Sequence, residues 1–345
     1  MSLFFFQNLF AQDEFFEPKT TLGGYGELHY NLEKTADTPA SKLLDFHRFV
    51  LFYSHTWTEK WSLKAEVELE HNFVKEGQGE LELEQAHINY HHSNAFGFQV
   101  GVILPSVGLI NEVHEPPVFL SVERPEYSKN IIPTTWFGNG LAVYGRKHGF
   151  DYKIAIMEGL NADGISNKSA IRGARLKGYK SNARELLYNG RVNFSPVPGF
   201  MAGFSYSQTK AMGTDIDIPL TLFEVHAQLV KKNVHMNFEW GTINYDDSDL
   251  EKSSGYYFDL GYDISTQLGI NSAVIPWVRV SDYNTAASTR IGGDSEKEFH
   301  YSKWLAGLSV KPIDEVVFKI DYGVRSHDLS GQEIKLFNIG AGYMF

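Results

Sequence analysis

The chain has 345 residues, 14% aromatic and 43% hydrophobic, with a formal net charge of −11 and no cysteine. The absence of thiols excludes disulfides, thiolate metal centres and cysteine nucleophiles, and the acidic balance excludes a surface built to track nucleic-acid phosphates. No apolar run is long enough for a membrane-spanning helix, so a membrane protein of this composition has to cross as a closed β-barrel.

Residues 1–20 read as a signal-peptide remnant or leader. Met1-Ser-Leu-Phe-Phe-Phe-Gln-Asn-Leu-Phe-Ala-Gln12 is apolar and is followed by Asp13, Glu14 and Glu17. It resembles the end of a secretory signal cut near Ala11 or Gln12, without the usual basic leading region. From residue 21 to 345 the chain reads as one domain whose dominant period is two. Residues 43–57 are apolar on both faces near Phe49 to Tyr53. Residues 61–70 are the clearest strand: Trp61, Leu63, Ala65, Val67 and Leu69 share one face, Lys64, Glu66, Glu68 and Glu70 the other. Across 80–90 the phase shifts, because Glu80, Glu82 and Glu84 share parity with Ala86, Ile88 and Tyr90. Either a β-bulge intervenes or the upper part stands above a membrane.

Alternation then runs to the end. Tyr188, Val192 and Phe194 oppose Asn189, Arg191 and Asn193; Phe223, Val225, Ala227 and Leu229 oppose Glu224, His226 and Gln228. Val234, Met236, Phe238 and Trp240 oppose His235, Asn237 and Glu239; Tyr256, Phe258, Leu260 and Tyr262 oppose Asp259 and Asp263. Val316, Phe318, Ile320, Tyr322 and Val324 oppose Lys319, Asp321 and Arg325, and the last strand carries Phe337, Ile339, Ala341, Tyr343 and Phe345 on one face. Short breaks near 57–60, 92–95, 146–149, 195–199, 231–233, 265–271 and 311–315 alternate with longer ones near 34–42, 105–138, 159–186, 210–219, 246–254, 283–298 and 327–334. One break, near 75–80, is short where a long one is due.

The pattern predicts an all-β fold: a transmembrane antiparallel up-and-down β-barrel of about 16 strands, with a water-filled lumen. A soluble sandwich also alternates, but Glu66, Glu68 and Glu70 in a row could not share a dry core unpaired. The ionised set is therefore expected to face the lumen and the aromatic set lipid. The expected lumen lining is Lys64, Glu66, Glu68, Glu70, Arg191, Glu224, His226, Glu239, Asp259, Asp263, Lys303, Lys319, Asp321 and Arg325. The terminal Phe345, with Tyr343 two residues before it, resembles the signal read by the barrel assembly machinery.

Glu84-Gln-Ala-His-Ile-Asn-Tyr90 and Phe98-Gln-Val-Gly-Val-Ile-Leu-Pro-Ser-Val-Gly108 resemble the porin superfamily that includes the phosphate-selective porins O and P. The resemblance is closer to porin-like outer-membrane proteins of Bacteroidetes. Asn111-Glu-Val-His-Glu-Pro-Pro117, Val122-Glu-Arg-Pro125 and Ile131-Ile-Pro-Thr-Thr-Trp136 carry it furthest. It implies a 16-stranded, usually trimeric channel in the bacterial outer membrane whose third outer loop, here about 105–138, folds inward. The phosphate-selective members line the lumen with arginines and lysines. This chain sets acids against bases there, so phosphate selectivity is not carried over.

In the 105–138 loop, Val118, Phe119, Leu120, Ile131, Ile132 and Trp136 are expected to pin the segment to the inner wall. Glu112, His114, Glu115, Glu123, Arg124, Glu126 and Lys129 are expected to ring a constriction, where charge sets ion preference. An extracellular lid is the alternative. The row Glu66, Glu68, Glu70 suggests a mild cation preference unless bases on neighbouring strands balance it. Arg172, Arg175, Lys177, Lys180 and Arg184 form a basic outer loop, either simply solvated or facing anionic lipopolysaccharide. The 13 histidines show no His-Glu-x-x-His spacing, and no Gly-x-Ser-x-Gly or phosphate-binding loop is present, so neither a catalytic residue, a metal nor a cofactor is expected. The expected partners are outer-membrane lipid, lipopolysaccharide and small hydrophilic solutes diffusing through the lumen. The rival functions are a barrel protease or phospholipase, typically narrower, and a closed structural or adhesion barrel.

Overall fold

The computed structural model of the protein describes residues 16–36, 38–181 and 183–345, so most of the expected leader lies outside the described residues. The strands are β1 (Lys19–Thr35), β2 (Ser41–Thr56), β3 (Trp61–Glu70), β4 (Leu81–Ser93), β5 (Phe96–Ile103), β6 (Gly138–Lys147), β7 (Phe150–Glu158) and β8 (Leu186–Phe194). They continue as β9 (Phe200–Met212), β10 (Asp217–Lys231), β11 (Val234–Tyr245), β12 (Leu250–Tyr262), β13 (Ala273–Thr289), β14 (His300–Ile313), β15 (Val316–His327) and β16 (Glu333–Met344). Each pairs antiparallel with its neighbours in sequence, and β16 pairs with β1 to close a barrel with no free edge. Phe345 completes the seam: its N–H donates to the Gly24 carbonyl at 3.0 Å, and its own carbonyl accepts from the Gly24 N–H at 3.0 Å. Closure pairs the first strand with the last, so the wall presents no unpaired edge, which is what a hydrocarbon environment demands.

The wall is inside-out relative to a soluble protein. On β13, Val278 and Val280 are 49% and 48% exposed while the arginine between them is 2% exposed. Asp259, Asp321 and Asn338 are likewise buried on strands whose Leu260, Ile320 and Ile339 are exposed. Trp61, Phe96, Phe150, Phe194, Tyr262 and Tyr343 lie outward near the tight-turn ends of their strands, forming an aromatic girdle of the kind found where a barrel meets lipid headgroups.

The connections refine the sequence reading. The β3–β4 connection is 71–80 rather than a short break near 75–80, so it joins the longer set. The β9–β10 connection shrinks to 213–216 because both strands extend past the bilayer-length estimate. Residues 263–272 form a longer turn containing a short helix, Ser265–Leu268.

Two bulges account for the phase shifts. In β2, the register against β1 slips between Glu27 and Leu28, leaving His47 as the additional residue. Leu44 and Phe46 face outward before it, Phe49, Leu51 and Tyr53 after it, so Val50 and Phe52 turn inward. In β4, Glu66 pairs with Gln85 and Val67 with Leu83, so Glu84 is the additional residue and both Glu84 and Gln85 point inward. A bulge is thus present in β4, as one of the two sequence alternatives requires.

Introducing arginine at Val278, in the middle of the outward belt, is expected to cost roughly 2–4 kcal/mol of stability in lipid. Denaturant unfolding from lipid vesicles measures it; an unchanged midpoint would contradict lipid exposure of that face.

Candidate functional site

The β5–β6 connection, residues 104–137, folds into the barrel and touches the wall around most of its circumference. Its first part is held on the β8 and β10 side. The Ser106 N–H donates to Asn189 Oδ1 (2.9 Å), the Gly108 N–H to Glu224 Oε2 (3.2 Å), and Glu112 pairs with Lys153 (2.7 Å) and Arg191 (2.6 Å). Gly108 has a φ of +66°, a left-handed conformation that favours glycine, and it lies against the Glu239 carboxylate. Further along, the Val122 N–H donates to Asp321 (2.8 Å), Lys319 donates to the Ser121 carbonyl (2.8 Å), and Arg279, bidentate on Asp259, reaches Ser121 Oγ (2.6 Å). Glu123 accepts from His29 (3.0 Å) and Asn31 (3.0 Å), and Glu126 pairs with Lys303 and Arg325, both at 3.2 Å.

Hydrophobic packing anchors the same segment. Val107, Tyr127, Ile131, Ile132 and Trp136 are buried in one cluster with inward-facing Leu187, Leu220, Leu222, Ile243 and Tyr257 of β8–β12. On that side the inner wall presents a cluster of apolar side chains beside Asn189, Glu224 and Glu239, which a uniform polar-lumen reading does not anticipate. Phe119 and Leu120 are buried too, but Val118 is 42% exposed and anchors nothing.

The second long connection, 159–185, packs onto the first. Arg172 donates to the carbonyls of Lys129 (3.2 Å) and Thr134 (3.1 Å), and Arg175 to those of Pro133 (3.1 Å) and Thr135. Lys177 pairs with Glu80 (2.6 Å) and Glu82. These three bases therefore clamp one loop to another; they are not a solvated basic patch.

Of the expected lumen residues, Glu66, Glu68, Glu224, His226, Glu239, Asp259, Lys319 and Asp321 are buried on the inner wall. Glu68 pairs with Arg48 at 3.0 Å; His226 lies 2.9 Å from both Glu224 and Asn193. Tyr257 donates to Glu239 at 2.6 Å. Lys64 is exposed, with its ammonium 5.8 Å from the Phe52 ring. Glu70 is half-buried at the end of β3. Asp263 is a correction: it lies beyond β12, where its carboxylate accepts from the N–H groups of Ser265 (2.9 Å) and Val274 (3.1 Å) and so caps a turn. In the inward segment Glu115 is half-buried, Arg124 donates to the His114 carbonyl (3.3 Å), and Lys129 is exposed. Tyr343 and Phe345 face outward.

Several inner-wall charges escaped the sequence reading: Glu27, His29, Arg48, Glu84 and Arg279. Arg279 was legible in principle, flanked by Val278 and Val280. Arg48 and Glu84 were hidden by the bulges.

Beside this wall a polar cavity of about 250 Å³ remains, lined by Glu27, His29, His47, Arg48 and Glu70 facing Glu123, Arg124, Lys129 and Arg172. His47 stacks on His29 with 4.9 Å between ring centroids, and Asp45 accepts from both His47 (3.1 Å) and His71 (2.8 Å). Burial and Arg124 oppose the charge on His114, but Glu66 and Glu84 more than offset them and raise it to about 9. Burial would raise the Glu123 and Glu126 carboxyls, but His29 for the first, and Lys303 with Arg325 for the second, hold both below the usual range.

No family model matches the chain. A protein of Aquifex aeolicus (strain VF5), described as uncharacterized, is 29% identical over 356 residues, covering 94% of this chain and 80% of that protein. Among solved structures, the anion-selective porin from Comamonas acidovorans aligns with a TM-score of 0.66 at 10% identity, covering 95% of this chain and 100% of that one. The outer membrane channel DcaP of Acinetobacter baumannii aligns with a TM-score of 0.61 at 12% identity, covering 95% of this chain and 97% of that one. The chain therefore has a porin-like, sixteen-stranded barrel fold.

The Glu112 anchor is acid-sensitive. Burial would raise its carboxyl, but Lys153 and Arg191 more than offset this and lower it from 4.5 to about 2. A carboxyl depressed in the folded state stabilises fully above its unfolded value and loses that contribution as pH falls through its folded value. The expected outcome is loosening of residues 104–115 between about pH 4.5 and 2. Tryptophan fluorescence, with Trp136 bonded to the neighbouring Asn111 at 2.8 Å, should report it in the native protein and not in Glu112→Gln.

Proposed function

We propose that the protein is an outer-membrane porin that lets small hydrophilic solutes or ions diffuse through its lumen, with residues 104–137 forming the constriction. The observation that carries this reading is the polar cavity between the inward segment and the β1–β3 wall, inside a barrel whose outer surface is an apolar belt. Sixteen strands is also a size at which a barrel holds an aqueous channel, whereas barrel enzymes are typically narrower. The likeness to a porin and to an outer membrane channel supports the same reading and its location.

The cavity lining carries Glu27, Glu70 and Glu123 against Arg48, Arg124, Lys129 and Arg172. Such a mixed lining favours weak selectivity over either the phosphate preference of the resembled superfamily or the cation preference suggested by the acidic row. Outward-facing Tyr343 and Phe345 suit an assembly signal, and a trimer in the membrane fits the same reading. A second reading, a barrel closed at rest, is favoured by the burial of Glu66, Glu224, Asp259 and Arg279 on the inner wall.

Planar-bilayer recording separates the two. The porin reading expects small unitary steps from the native protein and a reversal potential near zero in a salt gradient. Replacing residues 109–133 by a short Gly-Ser linker should enlarge the steps several-fold. Silence from both proteins would remove the channel function; steps from the shortened protein alone would establish the closed barrel.

A further inference from the structure

We propose that Glu66 of β3, Glu84 of β4 and His114 of the inward segment form a binding site for a borderline divalent metal ion of the Zn²⁺ class, which fastens that segment to the barrel wall. The inference is independent of whether the lumen conducts.

One ligand atom from each of the three residues lies within 4.8 Å of the others, and all three side chains are at most 2% exposed. His114 Nε2 is 3.4 Å from Glu84 Oε2 and 3.6 Å from Glu66 Oε1. None of these three buried atoms has a hydrogen-bond partner. The separations are too long for a charge-assisted N–H···O bond, which runs to about 2.7–2.9 Å. They match the edge of a tetrahedron around an ion with bonds of about 2.0–2.2 Å, which is about 3.3–3.6 Å.

The other side of each ligand is already fixed. His114 Nδ1 lies 3.2 Å from the Asn111 carbonyl, which as acceptor keeps a ring proton on Nδ1, so that Nε2 faces the carboxylates and can bind an ion there once the ion displaces the Nε2 proton. Gln85 donates to Glu66 Oε2, and Thr135 to Glu84 Oε1. Each ligand thus has one atom held by an outer partner and one aimed at a shared point, the arrangement by which proteins orient metal ligands. Glu68, in reach of Glu84, offers a further carboxyl oxygen beside that point. One imidazole and two carboxylates suit Zn²⁺ or its first-row neighbours better than Ca²⁺ or Mg²⁺, which take oxygen ligands. The bulge contributes directly, because Glu84 is the residue it turns inward.

The rival occupant is a proton on His114 Nε2, and the rival locations among the described residues are the cluster of Asp45, His47 and His71, that of His29, His47 and Glu123, and that of Glu68, Glu82 and Glu84. The test uses the full chain in detergent, stripped with chelator and titrated with Zn²⁺, with Co²⁺ as a spectroscopic probe of nitrogen and oxygen coordination. Retained heat-modifiability on gels certifies that each variant is folded. One saturable Zn²⁺ equivalent is expected, weakened at least about tenfold in His114→Ala, Glu84→Gln and the isosteric Glu66→Gln. The outer-partner change Thr135→Val should weaken it about 10–100-fold, and His71→Ala should leave it unchanged. Absence of saturable binding in the native protein overturns the proposal in favour of the proton. Binding of undiminished affinity in His114→Ala overturns it, and loss of that binding in His71→Ala then places the ion in the cluster of Asp45, His47 and His71.

Discussion

An ionised side chain on the inner wall of a closed barrel must be wetted or paired, and an irregular chain segment inside that barrel must find partners for its backbone groups. In this protein each requirement meets the other. Wall carboxylates take backbone N–H groups of the inward segment, Glu224 from Gly108 and Asp321 from Val122. Wall cations take its carbonyls, Lys319 from Ser121, Lys311 from Pro117 and Arg191 from Gly108. The segment can cross the lumen with only two short helical turns of its own, Pro116–Val118 and Tyr127–Asn130, because the wall supplies much of what a longer helix or a sheet would otherwise supply.

This mutual satisfaction makes the interior charge structural before it is functional. A buried pair such as Arg279 and Asp259 contributes little net stability, yet removing one member strands the other at a cost of about 3–5 kcal/mol. The two interlocked loops extend the principle, since Arg172 and Arg175 cap carbonyls between Lys129 and Thr135. Charges engaged in this way contribute little net field to the barrel interior, so a count of inner-wall acids overstates its negative potential. Glu66 and Glu68 illustrate it: one faces His114 and the other Arg48.

The barrel itself was legible because a period of two, repeated along most of the chain with charged residues mainly opposite the apolar ones, fits few architectures besides a closed membrane wall. The site was legible only in part. Glu112, His114, Glu123 and Glu126 stood out as charges in a long segment without alternation, but their partners come from strands distant in sequence, and no periodicity encodes those pairings. Parity also misled where it was carried past a strand end, as at Asp263, and where an additional residue reversed it. The flip from Phe46 to Phe49 was visible as a stretch apolar on both faces, yet nothing in the sequence singles out His47 as the bulged position.

The bulges also account for the asymmetry of the interior. Each adds an inward side chain, His47 in β2 and Glu84 in β4, on either side of β3 with its row of Glu66, Glu68 and Glu70. Inward donor atoms are therefore denser on β2–β4 than an unbulged wall would allow, and the inward segment brings His114, Glu123 and Arg124 against that arc. The opposite arc, β8–β12, packs the segment through Leu, Ile and Tyr side chains and also bonds it through Asn189, Arg191 and Glu224. That arc thus adds an apolar cluster to its polar anchors, while the β2–β4 arc meets the segment chiefly through ionisable groups. The polar cavity lies on the ionisable side because that is where packing gives way to groups that need water, partners or a cation.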